Sequence, residues 1–264
     1  MSGSGNDFVM VDARRKPPGE LADPAVISAI CARGTGIGAD GIVFLMPSDR
    51  ADIKLVYLNA DGSVADLCGN ATLCTTRLAA RIGAADAAGM TIETGAGVLR
   101  SRILPNGNAE IDLEEVTDIR PAMTPIHLHA PERRVGFAKA GIPHLTIEVP
   151  DVSTVDVIGR GRPLRSDPSV RPEGANVNFI SQSGDGWRIR TYERGVEGET
   201  LACGTGAVAS AILIRTWTPS PAPVDLTTRS GRTLTVRLEK TDRGFMPSLS
   251  GEAKLVFEGR FGEL

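Results

Sequence analysis

Asp66-Leu67-Cys68-Gly69-Asn70-Ala71 and Leu201-Ala202-Cys203-Gly204-Thr205-Gly206 share one design, half a chain apart. Each reads cysteine, glycine, a polar residue and a small residue. Each opens onto a proline-free run rich in Ala, Leu, Ile and Val. Such runs predict helices, over 70–82 in the first case and 206–216 in the second. Both blocks follow a polar turn containing glycine: Asn59-Ala60-Asp61-Gly62-Ser63 before the first, and residues 194–200 before the second. Matching entrances at this spacing predict two copies of one architecture, not a many-unit array.

Around the helices the chain reads as strand. The segments 53–58, 97–104, 109–113, 145–149, 176–180, 187–192 and 234–238 are short and rich in β-branched residues. Pro105-Asn106-Gly107-Asn108 predicts a hairpin turn, and 22–31 a third helix. Pro121 and Pro125 interrupt the pattern, which predicts an N-terminal lobe over 1–120 and a C-terminal lobe over 121–252. The strand-like stretch 253–261 is expected to carry the tail, 253–264, back to the first lobe. Thr218 to Pro223 reads as a stiff loop.

The 264 residues leave room for two domains, and 41% hydrophobic residues suit a real core. A net charge of −3 with no basic stripe argues against nucleic acid as a partner. No apolar stretch approaches the roughly 18 residues that cross a bilayer, so no membrane association is expected. Met1 to Asp7 has neither a basic start nor an apolar core, so a cytoplasmic location is expected rather than secretion. Cys31, Cys68, Cys74 and Cys203 should then stay reduced. Their spacing fits no zinc pattern, and His127 and His129, alternating on an expected strand, are too little for a metal site. No metal is expected.

The chemistry lies at the two entrances. A cysteine just before a helix sits beside unpaired backbone N–H groups and the positive end of the helix dipole, which favours a thiolate. The following glycine admits a ligand close to the backbone. The N–H groups of Gly69, Asn70, Gly204 and Thr205 suit a carboxylate. If the two halves face each other, both helix ends point at one carboxylate, and a sulfur lies on either side of the carbon attached to it. Inverting a stereocentre needs a base on one face and an acid on the other, and a thiolate with a thiol supplies both. The carboxylate gains charge as the α-proton leaves, so the dipoles favour the transition state. A pyridoxal enzyme would need a Schiff-base lysine, and none stands in a comparable motif. The reading is a cofactor-independent amino-acid racemase or epimerase using Cys68 and Cys203. Cys31 and Cys74 read as packing.

These residues resemble the diaminopimelate epimerase family over nearly the whole chain. The resemblance runs through Gly5-Asn6-Asp7-Phe8, Gly36-Ile37-Gly38-Ala39-Asp40-Gly41, Asn59 to Ser63, Cys68-Gly69-Asn70, Pro143-His144 and Asn176-Val177-Asn178-Phe179. Its most specific block is Tyr192-Glu193-Arg194-Gly195 with Glu199 to Gly206. It implies an α/β (α+β) fold of two pseudo-symmetric lobes, each a curled, mostly antiparallel sheet around a central helix. It implies Cys68 and Cys203 as the catalytic pair, supported by His144 and Glu193. Asn6, Asn59, Gly69, Asn70, Asn176, Glu193, Arg194, Gly204 and Thr205 match substrate-binding positions, with Arg194 pairing a distal carboxylate. The implied partner is a free amino acid, with no cofactor, and the implied assembly a homodimer. Taken alone, His144 reads as a strand-end histidine, Glu193 and Arg194 as a surface ion pair, and Asn6 and Asn59 as turn residues.

The chain departs from the family in places. Ile142 stands where Asn is usual before Pro-His. Ala71, Thr72 and Leu73 replace Gly, Ala and Arg, and Val64 replaces Glu. The loop 195–199 is one residue longer than usual. The expected reaction is epimerisation of LL- to meso-2,6-diaminopimelate. Ile142 keeps open racemisation of another amino acid, such as histidine, on the same scaffold. Glu193-Arg194 argues against a proline racemase-like or phenazine-isomerase-like member. A non-catalytic small-molecule binder would have no use for either cysteine.

Overall fold

The computed structural model describes residues 1–218 and 223–262. They form two compact units: Met1–Asp112 with the chain from Ser250 onward, and Leu113–Leu249.

In unit 1, β1 (Ser2–Gly3) pairs antiparallel with β2 (Asn6–Asp12). Helix α1 (Pro24–Cys31) leads to β3 (Gly41–Met46), which runs parallel to β2. β4 (Ile53–Asn59) and β5 (Val64–Ala65) add antiparallel partners. After α2 (Gly69–Arg81), β6 (Met90–Thr94) pairs parallel with β4. β7 (Gly97–Ile103) and β8 (Ala109–Asp112) then follow antiparallel.

Unit 2 begins with β9 (Ile119–Arg120) beside β10 (Arg134–Ala140). β10 pairs antiparallel with β11 (Ile142–Glu148), and after α3 (Val157–Arg165) comes β12 (Asn176–Ser183), parallel to β11. β13 (Gly186–Glu193) and β14 (Gly198–Thr200) are antiparallel additions. After α4 (Gly204–Trp217), β15 (Val224–Thr227) runs parallel to β13 and antiparallel to β16 (Thr233–Lys240). β17 (Phe245–Gly251) follows, and β18 (Ala253–Lys254), back in unit 1, pairs with β1. The pairings of β1 to β7 thus recur, in order and in sense, in β10 to β16.

Each unit wraps its mixed sheet about one helix. α4 is buried from Gly206 to Ile214 without a gap, touching β10, β11, β12, β15 and β16. A helix apolar on every face is stable only when enclosed. α2 is enclosed too, although Thr72, Thr75 and Thr76 are polar. Thr72 and Thr76 turn their hydroxyls back onto the carbonyls of Cys68 and Thr72, both at 2.9 Å. This back-bonding hides each hydroxyl in the helix's own turn.

The hairpin forms where residues 105–108 predict it. Gly107 takes φ +83°, which only glycine adopts freely, and its N–H donates to the Leu104 carbonyl at 2.8 Å. Other expectations need correction. The strand expected over 253–261 is confined to Ala253–Lys254. His127 and His129 lie outside any strand, so the inferred alternation is absent. Pro219 to Ala222 of the expected stiff loop fall outside the described residues. Among the described residues, no helix is long and apolar enough to cross a membrane. No group of three or more His, Cys, Asp or Glu is gathered there as for a metal.

Candidate active site

The two cysteines occupy the same local position in their units. Cys68 caps α2 with φ −133° and ψ 114°, and Cys203 caps α4 with φ −132° and ψ 110°. Each carbonyl accepts the first helical bond, from Thr72 N–H and Ala207 N–H, both at 2.9 Å. Neither cap residue turns its side chain onto the first-turn N–H groups. The amides of Gly69 and Asn70, and of Gly204 and Thr205, therefore open a helix end without a side-chain cap, the setting that binds anions. Cys68 is half-buried and Cys203 buried.

The other two thiols are packing groups. Cys74 is fully buried inside unit 1, and burial pushes its thiol up to about 12. Burial also raises that of Cys31.

In unit 2, strand register gathers polar side chains beneath Cys203. His144 pairs with Asn176 and Thr146 with Asn178 across β11 and β12. Residues two apart share a face, so all four point to one side, and α4 lies on it. Asn176 Nδ2 lies 3.9 Å from Cys203 Sγ, while its Oδ1 accepts from the Arg194 N–H at 2.8 Å. Thr205 Oγ1 is 3.6 Å from the same sulfur. Glu193 accepts a hydrogen bond from the Thr200 hydroxyl. Arg194 is half-buried and donates from Nη1 to the Glu173 carbonyl at 2.8 Å. His144 is fully buried, and burial, with the Arg194 charge acting the same way, lowers its pKa to about 3. The ring is neutral at pH 7.

In unit 1 the polar chain runs differently. The guanidinium of Arg33 forks onto Asp7 and reaches Asp40. Asp40 accepts from Asn6 Nδ2 at 2.8 Å, and Asn6 Oδ1 accepts from Asn70 Nδ2 at 2.6 Å. A carboxylate only accepts, so this relay fixes both amides. It leaves Asn70 Oδ1 buried and without a hydrogen-bond partner among the described residues. Asn59 stands apart, its amide donating to Ser63 within the β4–β5 turn. Asp40 and Asn178 belong to these networks but were not among the residues expected from sequence. Asn178 had a visible signal, since it alternates with Asn176 along one strand.

The departures from the family pattern also find places. Ala71, Thr72 and Leu73 face the interior of unit 1 and are fully buried. Val64 and Ile142 are exposed, Ile142 at the first position of β11, on the same strand face as His144.

Counting along the paired strands matches the units residue by residue. Ala65 and Thr200 each stand three before the cysteine, opposite Tyr57 and Thr191. Those two lie opposite Val43 and Asn178, which lie beside Met10 and Thr146. Two residues back along the strand, Phe8 corresponds to His144. In unit 1 Phe8 and Tyr57 stack edge to face at 5.7 Å, and Phe8, Val43 and Tyr57 fill the places that His144, Asn178 and Thr191 hold in unit 2.

Comparison with known proteins extends this picture. Residues 1–118 and 136–256 match the family model described as diaminopimelate epimerase. A diaminopimelate epimerase of Gemmatimonas aurantiaca is 51% identical, covering all of this chain and 98% of its own. One from Aquifex aeolicus is 37% identical, over all of this chain and 96% of its own. Among solved structures, a phenazine biosynthesis protein of the PhzF family from Bacillus anthracis aligns with a TM-score of 0.71 at 18% identity, over 95% of this chain and 91% of that one. A hydroxyproline epimerase from Agrobacterium vitis gives 0.64 at 16%, over 95% and 87%. At these identities the likeness is one of fold.

Proposed function

The chain belongs to the diaminopimelate epimerase family, and from that premise we propose how its residues interconvert LL- and meso-2,6-diaminopimelate. The enzyme is an isomerase, and its reaction serves lysine biosynthesis. One observation carries the mechanism: each unit ends a strand-and-turn on a cysteine that caps a helix without covering its N–H groups. A sulfur held there is favoured as thiolate by the dipole, worth about 0.3–1 kcal/mol at an exposed helix end and up to about 2 when partly buried.

In the forward step one thiolate takes the α-proton, and the other thiol delivers its proton to the opposite face of the same carbon. The cysteines exchange protonation states, so the reverse reaction runs through the same pair. As the C–H bond breaks, negative charge moves onto the α-carboxylate. The amides of Gly69, Asn70, Gly204 and Thr205 meet that charge, where one well-placed donor is worth about 10²–10³ in rate. Asn176 steadies Cys203, and Arg194 holds the distal carboxylate. Asn6 and Asn59 complete the substrate contacts, with His144 and Glu193 beside the reacting end. No cofactor enters this chemistry. The same reading carries a cytoplasmic homodimer, with light scattering as the test of assembly.

The deciding experiment is Cys68→Ser and Cys203→Ser, assayed by conversion of LL- to meso-diaminopimelate resolved on a chiral column. Serine is nearly isosteric and far too weak a base, so each variant should fold and lose epimerisation. Full activity in either one sinks the two-thiol mechanism.

A further inference from the structure

His144 Nε2 is a buried nitrogen with no hydrogen-bond partner among the described residues. Which proton state it carries follows from its other nitrogen. Asn178 Nδ2 lies 3.0 Å from the Leu145 carbonyl and 3.3 Å from His144 Nδ1. A carbonyl only accepts, so the atom facing it must be the amide nitrogen. Asn178 Oδ1 is held from the other side by the Thr191 hydroxyl at 2.9 Å. The amide therefore cannot turn over, and it offers N–H to Nδ1. A ring nitrogen that accepts carries no proton, so the single proton of this neutral ring sits on Nε2.

We propose that Asn178 is a positioning residue for the epimerisation: it holds His144 as the Nε2–H tautomer, so that unit 2 offers the amino-acid substrate a hydrogen-bond donor there and not an acceptor. The inference rests on the epimerase reading above. The fold itself does not require the arrangement, because unit 1 fills the same three places with Phe8, Val43 and Tyr57. Leaving a buried N–H without a partner destabilises the fold. A structural position would have shed that cost as unit 1 does, whereas a site keeps the donor for an acceptor atom that arrives with the ligand.

The test reads the ring directly. His127 and His129 are exposed, and His127→Gln/His129→Gln leaves one histidine for ¹⁵N labelling of the full-length enzyme. At pH 7 the spectrum should show a bare Nδ1 and a protonated Nε2; a proton on Nδ1 overturns the proposal. Asn178→Asp turns the neighbouring donor into an acceptor. It should move the proton to Nδ1 and lower kcat about a hundredfold, the scale of one lost donor, with KM little changed. An Asp variant that retains the Nε2–H form, or reverses it with kcat intact, also overturns the proposal. Should that variant not fold, Asn178→Ala removes the donor to Nδ1 altogether and should populate both tautomers, and an unaltered spectrum counts against it. If the expected tautomer is seen but the unsubstituted enzyme ignores diaminopimelate, the epimerase reading fails while the tautomer assignment stands.

Discussion

Val43 holds in unit 1 the register position that Asn178 holds in unit 2, and the residue over each differs accordingly. The helix residue three past the cysteine is Ala71 in α2 and Gly206 in α4. Ala71 and Val43 belong to one apolar cluster. A Cβ on Gly206 would stand 2.4 Å from Asn178 Oδ1, closer than carbon and oxygen can approach.

Gly206→Ala should therefore destabilise the protein by about 1–3 kcal/mol, the usual range for overpacking, and displace Asn178. The matched change Ala71→Gly meets no such neighbour and should cost about 1–2 kcal/mol, from helix propensity and one lost buried methyl. Urea unfolding compares the two, and kcat should fall only in Gly206→Ala. Equal losses of stability with equal activity would break the claimed correspondence.

Much of this was legible in the chain because it is local. The Cys-Gly entrances and apolar runs placed the helices at 70–82 and 206–216, against Gly69–Arg81 and Gly204–Trp217. What escaped depended on burial or distant partners. Gly41–Met46 reads as a continuous apolar run, buried almost throughout, and so lacks the alternation that marks a half-exposed strand. α3 contains Gly159, Gly161 and Pro163 and was hidden by them, although Asp156 caps it by accepting from the Gly159 N–H at 2.9 Å. Asn178 gains its role only when β12 lies parallel to β11, a pairing that no short window reveals.

Thiol reactivity should divide along burial. Cys74, with its thiol at about 12 and no exposure, should resist iodoacetamide at pH 7.5, and Cys31 likewise. Half-buried Cys68 should label first, with inactivation tracking its modification and diaminopimelate protecting it. Peptide mapping by mass spectrometry reads the sites. Inactivation with label confined to Cys31 and Cys74 would contradict the assignment.

His144 should make the enzyme acid-labile. Its folded pKa, about 3, lies below the ordinary histidine value of 6.5. Between these values the unfolded chain binds a proton that the native ring refuses. Stability from this group is thus whole above about 6.5 and falls with pH below it, by up to about 1.4 kcal/mol per pH unit. Urea unfolding at pH 7.5, 6.5 and 5.5 should show that slope, and His144→Gln should flatten it. An unaltered slope in the variant would assign the acid lability elsewhere.

On the proposed reading, Arg194 and Ile142 face the far end of the substrate, and two substitutions test it. Arg194 follows β13 directly, its N–H fixed by Asn176 Oδ1 and one guanidinium nitrogen anchored on the Glu173 carbonyl. A guanidinium has five N–H donors, so that anchor leaves a fork for a carboxylate. Lysine keeps the charge but cannot make the paired contact. For diaminopimelate, Arg194→Lys should lose about 1.5–3 kcal/mol of kcat/KM, the range for a lost hydrogen bond to a charged group. For an amino acid without a distal carboxylate the loss should be far smaller. Ile142, exposed where the family resemblance expects Asn, offers no polar atom to that end. Ile142→Asn adds an amide on the His144 face of β11 and should raise kcat/KM for diaminopimelate while leaving histidine turnover unaided. The measurement is kcat/KM for both amino acids in the unsubstituted enzyme and the two variants. Diaminopimelate turnover indifferent to Arg194→Lys would remove Arg194 from the distal end.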